Sequence, residues 1–157
     1  MLGTNLTGSI NSLPTGLTTL YLNNLGTSLT GSINSLPTGL TYLHLYNLGT
    51  NLTGSINSLP TGLTYLYLSK LGTNIDITSG TMKAWAATTI TITSGYLTAS
   101  VDGFLNAWAA TVTGTTAETI NLAGVGAGIA NQARSAASDD AVTHLQTTHN
   151  KTIQTNP

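Results

Sequence analysis

The chain contains no cysteine and very little charge. Only 6% of its 157 residues are charged, the formal net charge is -1, and Lys70 is the first charged side chain. The absence of cysteine excludes disulfides and thiolate metal sites. A nucleic-acid partner is also not expected, because the chain lacks the cationic stripe that such binding requires.

Long apolar segments are missing as well. The longest apolar-looking stretch, residues 120–130, is rich in glycine and too short to cross a bilayer. Residues 1–15 show no basic region followed by a continuous apolar segment, so we predict neither a membrane span nor a secretory signal. The positive mean hydropathy and the regular spacing of leucine still predict an ordered chain with a core.

What the sequence does contain is a 23-residue repeat, in which three copies read LTGSINSLPTGLTxLxL with almost no substitution. A period between 20 and 50 residues is typical of solenoids. The alternation Leu20-Tyr21-Leu22 predicts a strand whose leucines face the core and whose tyrosine faces outward. Pro37 and Gly39 interrupt the backbone before the next strand. Each unit is therefore predicted to be a strand followed by a return segment.

These units resemble the leucine-rich repeat family. The family pattern LxxLxL is matched by Leu17-Leu20-Leu22, Leu40-Leu43-Leu45 and Leu63-Leu66-Leu68, and the LTGSI segment is similar to plant-receptor-type and bacterial or phage members. The resemblance implies an α/β solenoid with about six parallel strands on its concave side. The family's usual asparagine at the ninth position is leucine here, so Asn51 and Asn74 are candidates for an asparagine ladder.

After Lys70 the repeat sequence diverges while the strand pattern persists. We therefore predict one domain, residues 1–157, with near-identical repeats in 1–70 and diverged repeats in 71–157. Return segments are predicted to be extended in the first repeats and helical in the later ones. The helical segments would contain Met82–Trp85, then an apolar face of Val101, Phe104, Leu105 and Trp108 at i, i+3, i+4 and i+7, then Val142 and Leu145. Ser138 is predicted to cap the last helix, with Asp139 and Asp140 in its first turn.

No catalytic constellation is evident, and we predict neither enzyme activity nor a cofactor. The five carboxylates are scattered over separate segments: Asp76, Asp102, Glu118, Asp139 and Asp140. His144 and His149 are five positions apart rather than the four that bring two imidazoles onto one helix face, and no third ligand is apparent. A metal site is not predicted.

An aromatic face is the strongest functional signal. Parallel strands about 4.8 Å apart would place Tyr21, His44 and Tyr67 in one row with Thr91. They would place Tyr42 and Tyr65 in a second row between Thr19 and Thr89, and Tyr46 in a third row with Asn23 and Ser69. Two interpretations stay open: the rings stabilise the strands by cross-strand contact, or they form a rigid platform for a ligand. The copies differ almost entirely in the short segment that contains these positions, which favours a platform whose candidate residues are Tyr21, Tyr42, His44, Tyr46, Tyr65 and Tyr67.

The favoured function is a non-enzymatic recognition or adhesion module that binds a glycan or a protein surface through its concave aromatic face. Extracellular, cell-surface or virion localisation would suit the low charge and the near-identical copies. Asn5, Asn51 and Asn150 match the N-glycosylation pattern.

The alternative is a structural subunit that stacks head to tail into a fibre. Both ends of the chain lack a polar cap, so we expect Leu6, Ile10 and Leu13 to have one side in water. In a fibre these residues would dock beneath the final strand around Ile153.

Overall fold

The computed structural model describes residues 6–71, 75–76, 89–93, 101–110, 112, 118–123 and 133–156. These residues form a mixed α/β structure with parallel strands in two sheets. The α-helices in this part of the chain are α1 (Val101–Ala109) and α2 (Asp139–Thr147). The strands are β1 (Gly8–Ser9), β2 (Thr19–Asn23), β3 (Leu29–Ser32), β4 (Tyr42–Gly49), β5 (Leu52–Ser55), β6 (Tyr65–Leu71), β7 (Ile75–Asp76), β8 (Thr89–Thr93), β9 (Glu118–Asn121) and β10 (Lys151–Gln154).

The larger sheet has the strand order β10-β9-β8-β6-β4-β2, and the smaller has the order β1-β3-β5-β7. The prediction of about six strands is wrong as a total, since the described residues contain ten. The difference arises because the LTGS parts of the return segments also pair with one another and so build the second sheet.

Core residues of the larger sheet lie in register across all six strands. Leu20 faces Leu43, which faces Leu66, at a spacing of 23 residues, and Leu66 faces Ile90 at 24. The spacing grows to 30 between Ile90 and Ile120 and to 33 between Ile120 and Ile153. The strands therefore keep one alignment while the segments that connect them lengthen.

Return segments in the first repeats consist of a short strand and a 3-10 turn, at Ile10–Ser12, Ile33–Ser35 and Ile56–Ser58. The Ser32 hydroxyl accepts a hydrogen bond from the Asn34 amide at 3.2 Å and so caps its turn. The Asn34 side-chain oxygen in turn accepts from the Ser55 amide at 2.8 Å, and Asn11 accepts from Ser32 in the same way. Asparagine side chains thus join each repeat to the next.

Threonine side chains and Asn51 add hydrogen bonds between neighbouring repeats. The Thr64 hydroxyl donates to the Thr41 carbonyl at 3.0 Å, and Thr41 donates to Thr18 at 3.2 Å. The Asn51 amide donates to the Thr27 carbonyl at 2.8 Å, as expected for a ladder residue, whereas Asn74 lies outside the described residues.

Glycine in the LTGS segment makes room for the preceding repeat. Gly31 and Gly54 have φ of 110° and 114°, a region that other residues rarely adopt. A Cβ atom at Gly54 would lie 2.7 Å from the Asn34 side-chain oxygen, and one at Gly31 would meet Asn11 at the same distance. Gly8 has a similar φ of 128° but no neighbouring atom within 4 Å of a Cβ.

The predicted apolar face of α1 is confirmed, because Val101, Phe104, Leu105 and Trp108 are all buried. Ser138 is the N-cap residue of α2, and Asp139 and Asp140 lie in its first turn as predicted, but the Ser138 side chain makes no capping bond. Its hydroxyl donates instead to the Asp102 carboxylate at 2.6 Å. The predicted helical segment Met82–Trp85 lies outside the described residues.

The expectation of a half-exposed first layer is wrong for Ile10, which is 2% exposed because it packs into the core. Leu13 is partly buried against that core, and Leu6 is 37% exposed. In the part of the chain that the structure covers, no helix has the length and apolar character needed to cross a bilayer.

Candidate functional site

The register of the larger sheet brings the predicted aromatic residues together. Tyr21 on β2 faces His44 on β4, which faces Tyr67 on β6, and Tyr42 faces Tyr65 in the neighbouring row. The reason is the two-residue periodicity of a strand: Leu20, Leu22 and their equivalents face the core, so the residues between them face outward. We call Tyr21, Tyr42, His44, Tyr46, Tyr65 and Tyr67 the aromatic face.

The rings of this face stack in two columns. In the long column the His44 ring centroid lies 4.2 Å from that of Tyr21 and 4.3 Å from that of Tyr67. In the short column the centroids of Tyr42 and Tyr65 are 4.3 Å apart, with ring planes inclined by only 2°. Neighbouring strands are about 4.8 Å apart, so each ring is drawn slightly towards the next. Cross-strand stacking therefore joins β2, β4 and β6 on this face.

Stacking along the strand-to-strand direction determines which part of each ring a ligand meets. The stacked ring planes stand across the sheet, so ring edges rather than ring faces are presented on this side, and the Tyr21 hydroxyl accepts a hydrogen bond from the Asn23 side-chain amide at 3.5 Å. Both faces of the His44 ring are covered by Tyr21 and Tyr67. Tyr21, on the edge strand β2, is 48% exposed. The surface therefore consists mainly of aromatic ring edges, and the ring of Tyr21 at one end is more exposed than the others.

Burial shifts the pKa values of two residues of the aromatic face. Burial lowers the pKa of His44 below 6.5, and its buried Nδ1 atom has no hydrogen-bond partner within the described residues. Burial, followed by the neighbouring Tyr42, raises the pKa of Tyr65 above 10.0. Both shifts favour the neutral side chains of His44 and Tyr65.

A cation borders this face, at a position that the site prediction omitted. The Lys70 ammonium lies over the Tyr46 ring, 5.1 Å from its centroid. Lys70 has a positive φ of 50°, and the residues at the equivalent positions, Asn24 and Asn47, also have positive φ values of 56° and 52°. The Asn47 amide donates to the Asn24 side-chain oxygen at 2.7 Å, and a lysine at the third position ends that chain of amides. The signal was present in the sequence as the change from asparagine to lysine.

A polar cluster lies elsewhere, between α1 and α2. The Asp102 carboxylate accepts hydrogen bonds from the Ser135 and Ser138 hydroxyls, each at 2.6 Å, and these bonds hold its pKa below 3.8. Arg134 forms an ion pair with Asp139 nearby. Residues 33 and 36 positions apart meet here, which no short motif could reveal. The cluster fastens α1 to the segment that precedes α2.

Two histidines also meet, contrary to the expectation from their spacing. The Nε2 atoms of His144 and His149 are 3.2 Å apart, because α2 ends at Thr147 and the chain then folds back. Within the described ranges no group of three or more histidine, aspartate or glutamate side chains is placed to hold a metal ion.

Comparisons with known proteins give no match: no family model fits the chain, and no curated protein and no solved structure is significantly similar to it.

Proposed function

We propose that the chain is a leucine-rich repeat solenoid and serves as a non-enzymatic recognition or adhesion module, which binds a protein surface or a glycan through the aromatic face. The observation that carries this proposal is the alignment of five rings in two stacked columns on one side of the larger sheet. A binding surface that is already ordered loses little side-chain entropy when a partner docks. An extracellular, cell-surface or virion setting would suit such a module.

The stacked arrangement indicates how a partner would be held. Ring edges and tyrosine hydroxyls provide apolar contact together with hydrogen bonding, the combination that makes tyrosine common in binding surfaces. A sugar ring that stacks on an aromatic plane would find its place at Tyr21, whose ring is the most exposed of the described large apolar side chains. A protein surface would engage the edges of both columns.

Alanine substitution tests this proposal. After a ligand is found with a glycan array or a surface-display screen, Tyr42→Ala and Tyr67→Ala should each weaken binding by about 1 to 3 kcal/mol. Thr119→Ala is the matched control, because Thr119 is exposed in the same sheet but lies on β9 beyond the rings. Unchanged affinity in both tyrosine variants, with a loss of stability only, would mean that the columns serve the sheet rather than a ligand.

The fibre subunit is the second candidate, and one observation favours it. The large apolar side chains that the structure shows exposed, Leu6 and Tyr21, belong to the first repeat. A stacked neighbour would cover them. Light scattering at rising concentration should then show growing assemblies, which Leu6→Asp should abolish by placing a charge in the junction. A concentration-independent monomer at high micromolar protein would contradict this candidate.

A further inference from the structure

His144 and His149 form a pair at the end of α2. Their Nε2 atoms are 3.2 Å apart, the ring centroids are 4.9 Å apart and the ring planes are inclined by 70°. Local structure produces this approach: the Thr148 amide closes the last turn by donating to the His144 carbonyl at 2.9 Å, and Asn150, with φ of 54°, then turns the chain into β10.

The geometry fits two nitrogen atoms that share one metal ion. Zinc lies about 2.0 to 2.1 Å from a histidine nitrogen, so two nitrogens 3.2 Å apart would subtend an angle of about 103° at the ion, near the tetrahedral value. Lone pairs that converge on such an ion would place the ring centroids about 5.0 Å apart, which agrees with the observed 4.9 Å. A collinear N–H···N hydrogen bond at the same separation would place the centroids about 5.5 Å apart.

We propose that His144 and His149 bind a divalent transition-metal ion through their Nε2 atoms, with Zn²⁺ as the best geometric fit and water as the remaining ligands. Neutral imidazole is a good ligand for zinc, copper and nickel, whereas magnesium and calcium prefer oxygen. His144 is exposed and His149 is 8% exposed, so an ion reaches the pair from the solvent side of His144.

The site would act on the structure around it. The ion would join the last turn of α2 to the residue before the β10 turn, and both ligands lie in one short segment, so the pair exists only when this segment is folded. An ion that binds the folded chain alone raises the unfolding temperature in proportion to the logarithm of its concentration. The site is separate from the aromatic face and does not depend on the proposed binding function.

The experiment uses the full chain without a histidine tag. Zn²⁺ titration followed by calorimetry should show one site per chain, and thermal unfolding should shift upward with Zn²⁺, Ni²⁺ and Cu²⁺ but not with Mg²⁺. His144→Gln should weaken Zn²⁺ binding by more than the roughly 10- to 100-fold that removal of an outer-shell partner causes. The exposed position of His144 leaves this variant folded.

The chain offers a matched control, because it has three histidines and only His44 lies outside the pair. His44→Gln should keep the full Zn²⁺-dependent shift, and His149→Gln should lose it. Zn²⁺ binding that survives in His144→Gln, or the absence of any Zn²⁺-dependent shift in the unsubstituted chain, would overturn the proposal and leave the pair as a hydrogen bond that closes the turn.

Discussion

Residues 6–71 and residues 101–156 supply strands to the same parallel sheet but connect their strands in different ways. The first region repeats short neutral contacts, in which an asparagine oxygen accepts from a serine amide and a threonine hydroxyl donates to a carbonyl of the preceding repeat. The second region uses two helices, the large buried rings of Phe104 and Trp108, and an ion pair between Arg134 and Asp139.

The strands therefore set the alignment of the larger sheet, and return segments of two different kinds connect them. Opposed core residues are 23 positions apart in the first region and up to 33 in the second, yet the pairing stays parallel and in register. A strand needs only its alternating apolar residues to join this sheet. The connection must cover the core, and a short strand with a 3-10 turn and an α-helix both do so.

The largest expected effect comes from removing a core leucine in either region. Leu43 and Leu145 are both 0% exposed, so the prediction that the leucines of the repeat strands face the core is confirmed at Leu43. Leu43→Ala and Leu145→Ala should each lower the free energy of unfolding by about 2 to 5 kcal/mol, measured by chemical denaturation. A loss below about 1 kcal/mol at Leu43 would contradict its place in the core.

The same two variants test whether the regions unfold together. Trp85 and Trp108 both lie beyond the first region in the sequence, so tryptophan fluorescence reports the part of the chain after residue 71 while circular dichroism reports the whole chain. Coincident transitions in both variants would show one cooperative unit. An early fluorescence transition in Leu145→Ala alone would show that the regions unfold separately, as repeat arrays with weak junctions do.

A smaller effect is expected from the glycines of the LTGS segment. Gly54→Ala should lower stability by about 1 to 3 kcal/mol through backbone strain, with about 1 kcal/mol more from the contact with Asn34. Gly8→Ala should show the strain without the contact, and Gly39→Ala should be nearly neutral, since its φ is ordinary and its nearest neighbour would be 3.8 Å away. Equal losses at Gly8 and Gly54, measured by urea unfolding, would show that close packing between repeats contributes nothing.

The smallest effect concerns the charged cluster of the second region. Asp102→Asn should lower stability at pH 7 by about 0.5 to 1 kcal/mol, a modest value because solvent weakens exposed charged hydrogen bonds. The pKa of Asp102 is below 3.8 in the folded chain, so the unfolded chain binds the proton more readily. The contribution is therefore present above about pH 4 and lost as the pH falls through the folded pKa. Urea unfolding from pH 7 to pH 3 should bring the variant and the unsubstituted chain together.

The sequence alone could predict the structural features that arise from the 23-residue repeat and from the regular spacing of apolar residues. The rows of the aromatic face follow from a 23-residue period combined with the two-residue alternation around Tyr21, and the buried face of α1 follows from four apolar positions. Both are local patterns copied along the chain. They needed no knowledge of how distant segments meet.

The remainder depended on contacts that no local pattern encodes. Ring stacking covers His44 on both faces, so the aromatic face presents ring edges, a result that needs the side-chain orientations. The second sheet required pairing between segments that are too short to predict as strands. Ser138 donates a hydrogen bond to Asp102 from 36 residues away and makes no capping bond to its own helix, a contact that depends on how α1 and α2 pack together.

The glycine of the LTGS segment has a consequence for how such a chain can change in length. Gly31 leaves space for Asn11 of the preceding unit, and Gly54 leaves the same space for Asn34. Each unit therefore fits against a copy of itself. Gain or loss of one whole unit, by recombination between near-identical stretches of the gene, would preserve the packing between the remaining units. Insertion of part of a unit would break the match at once. A change of 23 residues is therefore compatible with the packing of the first region, whereas core residues paired across the later strands are 30 and 33 positions apart and share no common step.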